Sequence, residues 1–160
     1  MDRGYSIRNA TISDTDGILD CLRLAFEPFR CFYTKNAYED TVLTPETIGQ
    51  RLVSMQVYVA VIDTNEVIGT IACGLVDENE GHLRGMAVLP EWQGGGVAEA
   101  LLKAAEMELS ARGCLTMSLD TSAPLQRAIR FYEKNGFRPT GKVTDFFGMP
   151  LYEYVKPIVV

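Results

Sequence analysis

Two groups of residues have types and spacing suited to chemistry. The first is Gln93-Gly94-Gly95-Gly96, set between the apolar run Met86-Ala87-Val88-Leu89 and a segment with helical apolar spacing. Glycines at a strand-to-helix junction let backbone approach backbone, or let backbone approach a phosphate. A P-loop would end in Gly-Lys-Ser/Thr, whereas this chain continues Val97-Ala98-Glu99 and offers no lysine to a terminal phosphate. A dinucleotide fingerprint needs a small residue where Glu99 stands, and it belongs to the first unit of a parallel sheet. Two readings stay open. One is a diphosphate held by backbone amides at a helix N-terminus, where the dipole favours its charge. The other is a turn that only joins strand to helix. The second group precedes the loop. His82 is the only histidine, and an imidazole with an ordinary pKa of ~6.5 can accept a proton near neutrality. Glu80 lies two residues earlier, on the same strand face. A structural or surface role is the alternative for both.

The elements that must position these groups follow from periodicity. "YSIRNA" alternates as a first strand, and Ser13 with Asp16 reads as a helix start before Ile18, Leu19, Leu22 and Phe26. Residues 27 to 43 lose that period but keep aromatic rings, and Thr44-Pro45 restarts a helix through Ile48, Leu52 and Met55. "VYVAVID", "EVIGTIACGLV" and "EGHLRGMAVL" read as an antiparallel meander with short turns at Asp63-Thr64-Asn65 and Asp77-Glu78-Asn79. Beyond the glycines, Ala98, Leu102, Ala105 and Leu109 form one helical face. "CLTMSLD" is a strand, Leu125, Ala128, Ile129 and Tyr132 mark a final helix, and "RPTGKV" with "PLYEYVKP" form a terminal hairpin. With no internal repeat or linker, residues 1–160 read as a single α/β domain.

Global properties narrow the partners. The formal net charge is −6 and no Lys/Arg run stands out, which argues against nucleic acid and fits a cationic amine. Cys21, Cys31, Cys73 and Cys114 have neither CxxC nor zinc-like spacing; they read as free thiols of a reducing compartment, with no metal expected. No apolar signal core or membrane-length run is present, and a soluble, cytoplasmic protein is expected, with a homodimer as one open oligomeric state.

"AVLPEWQGGGVA" followed downstream by "AIRFYEKNGF" resembles the GNAT superfamily of acetyl-CoA-dependent N-acetyltransferases. The resemblance covers nearly the whole chain. It implies an α+β fold with a mixed, mostly antiparallel sheet of about seven strands, four flanking helices and a splayed cleft for acyl-CoA. It implies pantetheine contacts from Met86, Ala87 and Val88, and pyrophosphate contacts from Gln93, Gly94, Gly95, Gly96, Val97, Ala98 and Glu99. Leu125 stands where the family often has a cofactor-contacting asparagine. The resemblance further implies that Tyr132 contacts the cofactor and protonates the leaving thiolate, and that the Val88 amide stabilises the oxyanion. His82, Asp120 and Glu80 become the candidate bases, and Phe29, Phe32 and Tyr33 fall in the acceptor-binding segment. The implied reaction is acetyl transfer to a primary amine. A protein N-terminal or lysine acetyltransferase is one alternative, and a non-catalytic acyl-CoA sensor or scaffold is another.

Overall fold

The computed structural model describes residues 4–158; the outer ends of the expected 1–160 domain, residues 1–3 and 159–160, lie outside them. Strand β1 (Ser6–Asn9) leads through a 3-10 turn into α1 (Thr15–Phe26). The turn is set by Thr11 and Asp14, three residues apart, not by Ser13. The Thr11 amide donates to Asp14 Oδ2 at 2.7 Å, and the Asp14 amide donates to Thr11 O at 2.9 Å. Arg8 on β1 forks onto the same carboxylate at 2.7 and 3.0 Å, which holds the Asp14 carboxyl below its ordinary pKa. One buried aspartate thus joins the first strand to the first helix.

The segment without helical period contains a 3-10 stretch (Glu27–Phe32) and a further helix, α2 (Lys35–Val42). Thr34 caps it, its Oγ1 accepting from the Ala37 amide at 3.3 Å. Helix α3 (Ile48–Ser54) follows, then the meander β2 (Gln56–Val61), β3 (Val67–Leu75) and β4 (Glu80–Val88). Beyond the glycines come α4 (Val97–Ala111), β5 (Thr116–Thr121), α5 (Gln126–Lys134), β6 (Arg138–Phe146) and β7 (Met149–Pro157). The described residues therefore hold five helices, one more than the sequence pattern shows. The last hairpin is longer than expected and turns through Phe147 and Gly148, both at positive φ.

All seven strands form one sheet in the order β1-β2-β3-β4-β5-β7-β6. Every neighbouring pair is antiparallel except β4 with β5. Val67 to Cys73 of β3 are buried without alternation, as expected for a strand covered on both faces. Helices α1 and α4 pack against it, and Leu101, Leu102, Ala105 and Leu109 of α4 enter the core.

Two irregularities shape the site. Strands β4 and β5 pair only over Glu80–His82 and Thr116–Ser118, then continue to Val88 and Thr121 without pairing. The sheet therefore opens between them. Strand β4 is also bulged: Thr70 faces Ala87 and Ala72 faces Arg84, leaving two residues of β4 opposite Ile71 alone. Gly85 lies in the bulge at φ 59°, a conformation costly to a residue with a Cβ.

Candidate active site

The opening between β4 and β5 leads into a cleft of about 950 Å³. The glycine loop forms one end. Gly94 and Gly96 have φ of 81° and 88°, and Gly96 is the N-cap of α4. The Ala100 amide donates to Gly96 O at 3.1 Å, so the amides before it in the first turn have no partner within the helix. Gln93, Gly94, Gly96, Ala98 and Glu99 line the cleft, whereas Val97 turns its side chain into the core and Gly95 lies outside the lining. The loop has no basic side chain of its own, but α5 supplies some. A guanidinium nitrogen of Arg127 lies 3.6 Å from where a Cβ on Gly94 would be, and Arg130 and Lys134 also line the cleft. Free amides, a helix N-terminus and adjacent cations make this end suited to a diphosphate.

Met86, Ala87 and Val88 form one wall. The Leu89 amide bonds back to Ile68 O at 2.9 Å, so alternation along the strand turns the Val88 peptide the other way, toward the edge that β5 has left. Gln93 confirms that direction, because its side-chain amide donates to Val88 O at 3.0 Å. Across the cleft stand Leu125 and Tyr132 of the α5 region. The Tyr132 ring is held edge-on by Phe131 and Phe137, and its hydroxyl lies 3.8 Å from Met86 Sδ. Burial first, and then Tyr33, push its pKa up to about 12.

His82 marks the point where the strands part. Its Nδ1 is 2.9 Å from Ser118 Oγ, and Ser118 Oγ donates to Glu80 Oε2 at 3.0 Å. Two oxygens at that separation need a proton between them, which makes Ser118 an acceptor toward His82. Nδ1 then carries the imidazole hydrogen, and Nε2 keeps its lone pair. Asp120 Oδ2 lies 3.6 Å from Nε2, beyond direct hydrogen bonding but close enough to stabilise a proton arriving there. Burial holds the His82 pKa below its ordinary value; Asp120, Glu80 and Glu153 oppose that shift, and Arg84 adds to it. His82 and Asp120 line the cleft, whereas Glu80 stays behind Ser118 and outside the lining.

Of the aromatic residues expected at the acceptor, Phe29 and Tyr33 line the cleft. Phe32 does not, and it is 56% exposed. Burial raises the Tyr33 pKa against the nearby Ser122 hydroxyl. That contact falls outside hydrogen-bond geometry, so Ser122 Oγ, like Thr121 Oγ1, is buried without a partner among the described residues. Both residues line the cleft.

A model of the acetyltransferase (GNAT) family matches residues 18–137, three quarters of the chain. The chain belongs to the GNAT family. Aminoglycoside N(6')-acetyltransferase type 1 of Stenotrophomonas maltophilia is 37% identical over 71 residues, covering 44% of this chain and 46% of that protein. The matched segment thus spans about half the length of this curated relative. A GNAT acetyltransferase of Staphylococcus aureus Mu50 superimposes with a TM-score of 0.80 at 20% identity, over 98% of this chain and 100% of that one. A GNAT acetyltransferase of Elizabethkingia anophelis with acetyl-CoA bound gives 0.68 at 20% identity, over 97% and 99%. These likenesses agree with the GNAT sheet described above.

Ser118, Arg127, Thr121 and Ser122 are cleft or relay residues that the sequence reading does not single out. Ser118 meets His82 only through the strand register, at a separation of 36 residues. The "TS" after Asp120 was the one signal in the chain for Thr121 and Ser122. Among the described residues no cluster of His, Cys, Asp and Glu is grouped to hold a metal, and no helix is long and apolar enough to cross a membrane.

Proposed function

We propose that this GNAT-family protein transfers an acetyl group from acetyl-CoA to a primary amine by direct attack. One observation carries the reading: the parted strands bring the Val88 peptide, the Tyr132 hydroxyl and His82 Nε2 to one cleft that starts at the glycine loop. The loop amides and Arg127 bind the diphosphate, and the free edge of β4 pairs with the pantetheine arm. His82 Nε2, directly or through a water, takes the proton that the ammonium must lose. The amine nitrogen then forms its bond to the thioester carbonyl carbon, and the Val88 N–H donates to the oxyanion. Collapse breaks the carbon–sulfur bond, Tyr132 gives its proton to the departing thiolate, and the second proton on the attacking nitrogen returns to the phenolate, leaving a neutral amide and the thiol. A pKa near 12 keeps that proton on the phenol at neutral pH, as an acid requires. The amine named in the Stenotrophomonas relative supports an amine acceptor, and the acetyl-CoA complex of the Elizabethkingia protein supports the donor. Four free thiols support a reducing, cytoplasmic setting.

Coenzyme A release measured over a panel of small amines and N-terminal peptides tests the proposal. At least one amine should give release well above the amine-free rate. Tyr132→Phe should lower kcat for it by about ten- to a thousandfold while leaving acetyl-CoA affinity intact. Tight acetyl-CoA binding with no release for any acceptor would make the protein a sensor or scaffold instead.

A further inference from the structure

Arg51 on α3 lines the cleft, half-buried, with its guanidinium over the β4 bulge. Its Nη1 lies 2.6 Å from where a Cβ on Gly85 would be, so the missing side chain at Gly85 makes its room. Met86, the next residue, is the one whose sulfur meets the Tyr132 hydroxyl at 3.8 Å. Arg84 acts electrostatically on both Arg51 and His82, so the guanidinium belongs to the His82 side of the cleft, whereas Arg127 stands at the glycine loop.

Arg84, the neighbouring cation, has its counter-ion: Nη2 is 3.0 Å from Asp40 Oδ2. Arg51 has none. No described residue accepts a hydrogen bond from its side chain or pairs with it at salt-bridge distance; Asp40 attracts it only from further away. Burial and the like charge of Arg84 push its pKa down to about 10, which still leaves it charged at neutral pH. A half-buried cation without a counter-ion gains from one that reaches it, and a guanidinium fork fits a carboxylate in two parallel hydrogen bonds.

We infer that the amine acceptor also carries a carboxylate, which Arg51 binds while the amine faces His82 and Tyr132. This rests on the acetyl-transfer reading of the same cleft. A polycationic acceptor would bring further positive charge against this guanidinium, whereas a carboxylate would neutralise it. Asp40 holds Arg84, so of the two arginines at the β4 bulge Arg51 is the one without a counter-ion at salt-bridge distance among the described residues.

The test compares wild type, Arg51→Gln and Arg51→Lys on α- and ω-amino acids and on the matching carboxamides. Coenzyme A release gives kcat/KM, and calorimetry on the CoA-loaded protein gives acceptor binding. Each variant is read against wild type on the same acceptor, which cancels differences in amine pKa. Wild type should prefer the amino acids. Arg51→Gln should lower their kcat/KM at least about tenfold, mainly through KM, as loss of a desolvated charge contact does. The carboxamides should change less than about twofold, acetyl-CoA affinity should hold, and Arg51→Lys should recover part of the loss. Equal use of acids and amides by wild type, or indifference to Arg51→Gln, overturns the inference and leaves acetyl transfer standing. If no acceptor is acetylated, binding decides. A carboxylate preference lost in Arg51→Gln supports the inference while the transfer reading fails; no preference overturns it. Should Arg51→Gln not fold, a ratio of acid to amide unchanged in Arg51→Lys counts against it.

Discussion

In the mechanism proposed above, Ser118 decides which nitrogen of His82 acts as the base. Its hydrogen is directed to Glu80, so its lone pair fixes hydrogen on Nδ1 and frees Nε2 toward Asp120. Ser118→Ala removes the acceptor and lets the inactive tautomer compete. The kcat should fall by about tenfold to a hundredfold, part of the usual span of acid–base catalysis, with little change in KM. The pH profile distinguishes this from a packing effect. Because the His82 pKa is lowered, the ascending limb of kcat/KM should lie below ~6.5, the ordinary imidazole value. Asp120 opposes that lowering, so Asp120→Asn should move the limb to still lower pH. His82→Gln should abolish it. Two acceptors of different amine pKa are needed, since the acceptor's own ionisation can mimic such a limb; a limb that tracks the acceptor and survives in His82→Gln removes histidine from the mechanism. His82 and Glu80 could be picked from the sequence because alternation puts them on one strand face. Ser118 could not, because nothing local says which residue of a distant parallel strand will face His82.

At the scale of elements, α4 reaches the glycine loop only because its far end is fixed on β4. Gly81 makes that contact: a Cβ there would lie 2.5 Å from both methyl carbons of Leu109 and 2.9 Å from its Cγ. Leu109 is fully buried, so its methyl groups give way only by repacking the core around them. Gly81→Ala should therefore cost about 1–3 kcal/mol by overpacking, read as a lower Tm, although position 81 is not in the cleft. A second variant, Gly81→Ala with Leu109→Ala, should be less harmed than the two single changes added together; additive losses would place the strain elsewhere. The close approach belongs to helix packing, which one-dimensional periodicity does not record. The same limit explains α2. Its buried residues, Ala37, Tyr38 and Val42, do show helical spacing. They are few, though, and the aromatic 3-10 stretch before them hides the period. Long elements such as α4 and the meander were legible because many residues repeat one pattern. The helix start at Thr11 and Asp14 was misplaced because Ser13 with Asp16 presents the same chemistry two residues later.

For the whole molecule, the parting of β4 and β5 divides the sheet into a β1–β4 half and a β5–β7–β6 half. Among the described residues β4 and β5 pair only through Glu80–His82 and Thr116–Ser118, with Asn79 O accepting from the Leu115 and Thr116 amides just before them. A ligand lying between the strands touches both halves, with the glycine loop and β4 on one side and Thr121, Leu125, Arg127 and Tyr132 on the other. Binding to the folded state alone should then stabilise the chain as a unit. At a concentration a hundred times Kd the gain is ~2.7 kcal/mol. For a domain of this size each kcal/mol raises Tm by ~2–4 °C, which gives a rise of about 5–10 °C with acetyl-CoA. Amide exchange in β5 and at the start of α5 should slow together, since these elements lose their free edge. Gly96→Glu is the control. Its carboxylate would stand against the diphosphate, and a residue with a Cβ would have to hold the backbone at φ 88° at a cost of about 1–3 kcal/mol. The variant should start from a lower Tm and gain almost nothing from the same acetyl-CoA. An equal rise in both proteins would place the ligand away from the loop, and no rise in wild type would remove acetyl-CoA as the donor.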